Sequence, residues 1–243
     1  IYLKTKKFEK NLGKMLSGML NNMESRGPDS AGFAIYKNEK KDIFKYSLCL
    51  NDLNFKNFKK EISNKIKKIQ LSQHADHVIL KTPIEPKIVI KIINKNFPEV
   101  SIVGYGHSIE IFKQVGNPKD VVKKFKLDSF SGTHGIGHTR MATESAITTD
   151  GSHPYSTGID ECLVHNGSLS NHNNLRRELV KKGNIFNSEN DTEVAAGYVS
   201  NSLSDKKSLK DTLTSGLKDL DGFYTFITGT RKGFAVVRDE IAC

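Results

Sequence analysis

A chain of 243 residues with 37% hydrophobic content has room for one elaborated domain around a substantial core. No run approaches the roughly 18 apolar residues of a membrane span and no basic-then-apolar leader opens the chain, so neither a membrane helix nor a secretory signal is indicated, and the cytoplasm is the expected compartment. The net charge of +10 is lopsided, +12 over residues 1–130 and −2 over 131–243, yet there is no Trp and the lysines are not interleaved with aromatics, so no nucleic-acid groove is indicated.

Lys91-Ile92-Ile93-Asn94-Lys95-Asn96 shows instead that Lys, Ile and Asn are jointly abundant, a habit of composition. Cys49, Cys162 and Cys243 follow neither a CxxC nor a zinc spacing, so no disulfide framework and no metal site is expected, and a reducing compartment fits.

In chain order, Phe8, Leu12, Met15, Leu16, Met19, Leu20 and Met23 recur at three- and four-residue steps. They predict an amphipathic helix over 7–25 whose methionines pack in the core. Gly27-Pro28 stops it, and Ala31-Gly32-Phe33-Ala34-Ile35-Tyr36 reads as a strand. From 38 to 131, short apolar runs such as His77-Val78-Ile79-Leu80 alternate with Lys-rich helical stretches such as 55–69, which is enough for a small α+β insertion. Gly104-Tyr105-Gly106-His107-Ser108 lacks the spacing of a phosphate loop and reads as a tight turn. Strand signals return at 134–139, 161–164, 222–229 and 233–238, separated by helices at 170–182, 192–203 and 209–220. That grouping suits two sheets layered with helices, an α+β domain.

Three segments carry the chemistry: Gly137-His138-Thr139-Arg140, His165-Asn166-Gly167 and Asn190-Asp191-Thr192. They supply a guanidinium, an amide beside an unshielded backbone N–H, and a carboxylate, which together can grip a free amino acid and polarise its carbonyl. Arg140 offers a planar fork to a carboxylate, with a surface salt bridge as the plainer alternative. Asp191 can hold an ammonium or simply cap the following helix. Asn166 and Gly167 can hold an oxyanion or merely form a turn. His134, His138, His153, His165 and His172 are clustered, but no carboxylate or thiolate completes a ligand set, and structural hydrogen bonding is the expectation.

With Arg26-Gly27-Pro28-Asp29-Ser30, these segments resemble the class II glutamine amidotransferases, a branch of the N-terminal-nucleophile hydrolases. Gly135-Ile136-Gly137-His138-Thr139-Arg140-Met141-Ala142-Thr143-Glu144-Ser145 and Leu163-Val164-His165-Asn166-Gly167-Ser168-Leu169-Ser170-Asn171 narrow the resemblance to the separate amidotransferase subunit of archaeal-type glutamate synthase and N-methylglutamate synthase. Ser152-His153-Pro154-Tyr155 and the stretch from Asp221 to Cys243 fit the same family.

The resemblance implies a four-layer αββα sandwich, the whole chain forming a single amidotransferase domain with a Lys-rich insertion at about 38–131. It implies L-glutamine as substrate, Asn166 and Gly167 as oxyanion hole, Arg140, Thr143 and Asp191 as substrate ligands, and Arg26 and Asp29 as loop-ordering residues. It also implies a synthase partner carrying FMN and iron–sulfur centres, with no cofactor in this chain. The family's nucleophile is a cysteine at the mature N-terminus, whereas this chain opens at Ile1-Tyr2-Leu3-Lys4. The expectation is therefore a fragment of a longer protein, inactive without that thiol. The alternative is a glutamine-binding sensor or assembly module.

Overall fold

The computed structural model describes residues 1–38, 42–142 and 146–241. The first helical segment is broken into a 3-10 turn at Lys6–Asn11, helix α1 at Leu12–Asn22 and a second 3-10 turn at Glu24–Arg26, and strand β1 follows at Ser30–Tyr36. Next come β2 (Phe44–Cys49), α2 (Phe55–Lys65), β3 (Gln70–His74), β4 (His77–Thr82), α3 (Pro86–Asn96) and β5 (Ser101–Gly106). Then come β6 (Ile109–Val115), α4 (Pro118–Phe125), β7 (His134–Arg140) and β8 (Cys162–Leu169). The chain closes with α5 (His172–Lys181), α6 (Asp191–Ser204), α7 (Leu209–Asp219), β9 (Gly222–Thr230) and β10 (Gly233–Arg238).

Side-chain alternation along the strands builds the layers. In the antiparallel sheet β6-β1-β7, Ala31, Phe33 and Ile35 of β1 face Leu12, Leu16 and Leu20 of α1 and Val121, Val122 and Phe125 of α4. Ala34 and Tyr36 face the other way and meet Cys162 and Val164 of the second sheet, β10-β9-β8. The outer face of that sheet, Leu163, Leu169, Tyr224 and Phe226, is covered by Ala195 and Val199 of α6 and Leu213 of α7. Helices, sheet, sheet and helices make an α+β, four-layer αββα sandwich, the architecture that the resemblance implies.

The stretch 38–131 is not one insertion. Ile109–Val115 pairs with β1 inside the first sheet and α4 covers that sheet, so both belong to the sandwich. The added unit is β2 to β5, a β-α-β-β-α-β run whose antiparallel sheet has the order β3-β4-β2-β5, a split βαβ arrangement. Asn54 caps α2 by accepting from the Lys56 and Asn57 amides, and Pro86 opens α3 where its missing N–H costs nothing. Both helices cover one face, closing Leu48, Phe58, Ile62, Leu80, Val89 and Ile93 into a core. The opposite face turns to the sandwich, where Lys45 of β2 is ion-paired to the buried Glu110 of β6 at 3.1 Å.

The methionines are a correction. Met15, Met19 and Met23 are 42%, 56% and 48% exposed, and the buried side of α1 is Leu12, Gly13, Leu16, Ser17 and Leu20. Gly13 sets this orientation, because a Cβ there would lie 2.1 Å from the Leu127 carbonyl oxygen. The helix therefore rests on its Gly13 side, and the row three residues on from each leucine turns outward.

Among the described residues, no helix is long and apolar enough to cross a membrane.

Candidate active site

Even-numbered residues of β7 point into the space between the sheets, so His138 and Arg140 lie on the wall facing β8. Arg140, 6% exposed at the end of β7, donates from Nη1 to the Ala146 carbonyl at 3.3 Å. Its own carbonyl accepts the Asp29 amide, and the Asp29 carboxylate accepts the Ala142 amide at 2.7 Å. Asp29 thus laces the start of β1 to the residues after β7. Arg26 is exposed, and its amide donates to the Met23 carbonyl, closing the turn after α1. Thr143 lies outside the described residues.

On β8, Asn166 and Gly167 are exposed immediately after the buried run from Cys162 to His165. Gly167 has φ +134°, and a Cβ there would lie 2.0 Å from the Phe223 carbonyl oxygen, so no other residue fits without moving β9. The strand keeps its register with β9 through this point, and its surface there is open.

Asp191 is the first residue of α6, and the cap is its neighbour: the Asn190 side chain accepts the Thr192 amide at 2.9 Å. The Asp191 carboxylate is free of the capping role. Its Oδ2 accepts the Leu169 amide at 2.9 Å, which ties α6 to the end of β8. Burial would raise its pKa, but the hydrogen bonding of the His165 side chain and the Leu169 N–H outweigh that and hold it below the usual carboxylate value. It is ionised at neutral pH.

Between Arg140 and Asp191 lies a group of residues that the sequence reading treated only as structural. His138 and His153 stack with ring centroids 4.1 Å apart, and Nε2 of His138 donates to the His165 carbonyl at 3.0 Å. The Thr192 hydroxyl lies 2.9 Å from His153 Nε2, 3.1 Å from His165 Nδ1 and 3.4 Å from Asp191 Oδ1. Burial pushes His138 down to about 4 and His153 well below the ordinary histidine value, so both rings are neutral. Arg140 and Asp191 both act electrostatically on the buried Tyr155 hydroxyl. The loop following Arg140 is anchored below by Lys113, whose Nζ donates to the Asp150 carbonyl at 3.0 Å and the Ser152 carbonyl at 2.9 Å. Burial lowers the Lys113 pKa to about 8.

Neither described cysteine has the character of a nucleophile, since burial pushes both Cys49 and Cys162 up to about 11. Among the described residues one trio, Cys49, Asp76 and His77, brings three ligating atoms within 4.8 Å of one another. It lies on the inserted layer, where Lys124 already pairs with Asp76 at 2.8 Å.

Arg140 and Asn166-Gly167 on facing strands, with Asp191 behind, form one end of an N-terminal-nucleophile sandwich, and this architecture defines the class. A glutamine amidotransferase domain model matches residues 138–243. The glutamine amidotransferase-like protein GlxB of Rhizobium meliloti is 47% identical over the whole of this chain and 82% of its own length. A putative glutamine amidotransferase of Methanothermobacter thermautotrophicus is 32% identical over 95% of this chain and 80% of its own length. The chain belongs to the class II glutamine amidotransferases. A solved structure of glutamine phosphoribosylpyrophosphate amidotransferase from B. subtilis, complexed with ADP and GMP, shares the fold with TM-score 0.58 at 20% identity, over 95% of this chain and 35% of that one.

Proposed function

We propose that this chain forms the glutamine pocket of a glutaminase that releases ammonia for a glutamate-synthase-like partner. The observation that supports it most is the placement of Arg140, Asn166-Gly167 and an ionised, uncapped Asp191 at one end of the two facing sheets. In this reading Arg140 binds the α-carboxylate, with Thr143 beside it, and Asp191 binds the α-ammonium. The Asn166 amide and Gly167 N–H then receive the negative charge that collects on the side-chain oxygen.

The nucleophile in this reading is the cysteine thiol that the likeness to the class II amidotransferases implies. Ile1 exchanges hydrogen bonds with Gly135, and Tyr2 bridges His134, both antiparallel to β7. A strand continuing Ile1 backwards in that register would run beside Ile136 and reach Arg140. A terminal cysteine there would attack the amide carbon while its own amine takes the thiol proton; ammonia departs, and water then cleaves the thioester to glutamate. The partner would carry the FMN and iron–sulfur chemistry. Buried thiols at Cys49 and Cys162 support a reducing, cytoplasmic setting.

The second reading is a glutamine-binding module without turnover. Calorimetry with L-glutamine on this chain, and ammonia release by the full-length protein, separate the two. Arg140→Ala is expected to weaken glutamine binding about tenfold or more. Unchanged affinity in that variant removes Arg140 from the site.

A further inference from the structure

A threonine hydroxyl has one proton and two lone pairs, and Thr192, 1% exposed, has three polar neighbours to share them among. Asp191 Oδ1 can only accept, so an arrangement that satisfies all three sends the hydroxyl proton to Asp191 and takes an N–H from His153 Nε2 and another from His165 Nδ1. The backbone fixes the third ring independently: the His165 carbonyl can only accept, so His138 carries its proton on Nε2.

This assignment is tested at once by the nitrogens left over. In these three rings the buried nitrogens without a hydrogen-bond partner are His138 Nδ1, His153 Nδ1 and His165 Nε2. Each is the nitrogen that the assignment leaves bare, so no buried N–H is stranded. Any other placement of the protons strands a donor or sets an oxygen lone pair against Asp191, at a cost that buried sites avoid.

From this geometry we infer that Thr192 is the positioning residue of the amino-acid site: its hydroxyl holds the Asp191 carboxylate, the His165-Asn166 strand and the His153 loop in one fixed relation. Thr192 touches no substrate in this account. It sets where the negative charge stands relative to the oxyanion-forming Asn166, 26 residues away in the chain and on another element. The inference rests on the glutamine-site reading only for its effect on the ligand; the proton arrangement stands apart from it. The other groups that face Asp191 are His165 of β8 and His172 of α5, and Leu169 supplies the remaining N–H.

The experiment uses this chain with 15N-labelled histidine and 13C-labelled aspartate, as wild type, Thr192→Val and Thr192→Ser. Wild type is expected to show His138 and His153 as Nε2–H tautomers and His165 as the Nδ1–H tautomer. Thr192→Val is expected to raise the Asp191 titration midpoint and weaken L-glutamine binding about tenfold, with Thr192→Ser restoring both. Glutaramate, which is glutamine without its α-amino group, should bind Thr192→Val and wild type alike, because no ammonium then faces Asp191. A different His165 tautomer, an Asp191 titration indifferent to Thr192→Val, or equal failure of the Ser variant overturns the inference. If the tautomers and titration behave as expected but wild type binds no glutamine, the positioning role stands and the glutaminase reading falls.

Discussion

Beneath α2 and α3 the inserted layer is filled by Leu48, Phe58, Ile62, Leu80, Val89 and Ile93, whereas the interior beside Arg140 is filled by His138, His153, His165, Thr192 and Glu193. The first holds together by removing apolar area from water and tolerates any sequence that keeps volume and pattern. The second buries polar groups that each demand a partner, so it holds only in one arrangement. Glu193 illustrates the difference: its carboxylate accepts the Asn187 and Ser188 amides and the Ser188 hydroxyl, fixing the turn that leads into α6. Where polarity is buried and its donors are tied, the molecule keeps one geometry; where burial is apolar, it keeps a shape.

That contrast is open to direct attack. The largest effect is expected from Phe58→Ala, which empties part of the inserted core and should cost about 3–5 kcal/mol in denaturant unfolding while leaving glutamine affinity within about twofold. A matching loss of affinity would mean that the two regions are not separable. Gly167→Ala should reverse the pattern. The strained φ and the approach of the Phe223 carbonyl cost roughly 1–3 kcal/mol, yet glutamine binding measured by calorimetry should disappear.

The smallest effect concerns the buried ammonium beneath the loop. Lys113 has a folded-state pKa near 8 against an ordinary 10.5, so between those values the unfolded chain binds more protons and stability rises with pH from this group. Below about pH 8 the penalty for burying the charge is present in full. The difference between wild type and Lys113→Met in unfolding free energy should therefore change across that window by at most about 1.4 kcal/mol per pH unit. A flat difference would show that the two carbonyls and the Tyr155 ring keep the ammonium fully charged.

Much of this was legible in the chain. Strands at 134–139, 222–229 and 233–238, and the helices after Ser170, Asp191 and Ser208, follow from periodicity and capping residues and stand where expected within a few positions. The end of β8 was less so, because Asn166-Gly167 read as a turn and instead continues the strand to Leu169 through a positive φ. Asp191 was ambiguous in sequence, since a cap and a ligand look alike; the structure gives the cap to the Asn190 side chain, which accepts the Thr192 amide. Thr192 stood within the Asn190-Asp191-Thr192 segment, but its own contacts were out of reach, because its partners His165 and His153 lie 27 and 39 residues away. The sheet order β3-β4-β2-β5 was also out of reach, as each strand is short and pairing is a long-range choice. The outward Met row was misread for a local reason: residues one stripe apart on a helix share a periodicity, and Gly13 decides which stripe is covered.

That row has a chemical side. The chain has four methionines, and Met141, 50% exposed beside Arg140, joins Met15, Met19 and Met23 at the surface. All four thioethers are thus within reach of an oxidant without the fold opening. Conversion to sulfoxides would make the outer stripe of α1 and the residue next to the guanidinium polar, while Leu12, Leu16 and Leu20 stay sealed against the sheet. The thioethers of this molecule stand outside its core, while the described thiols, Cys49 and Cys162, are buried within it.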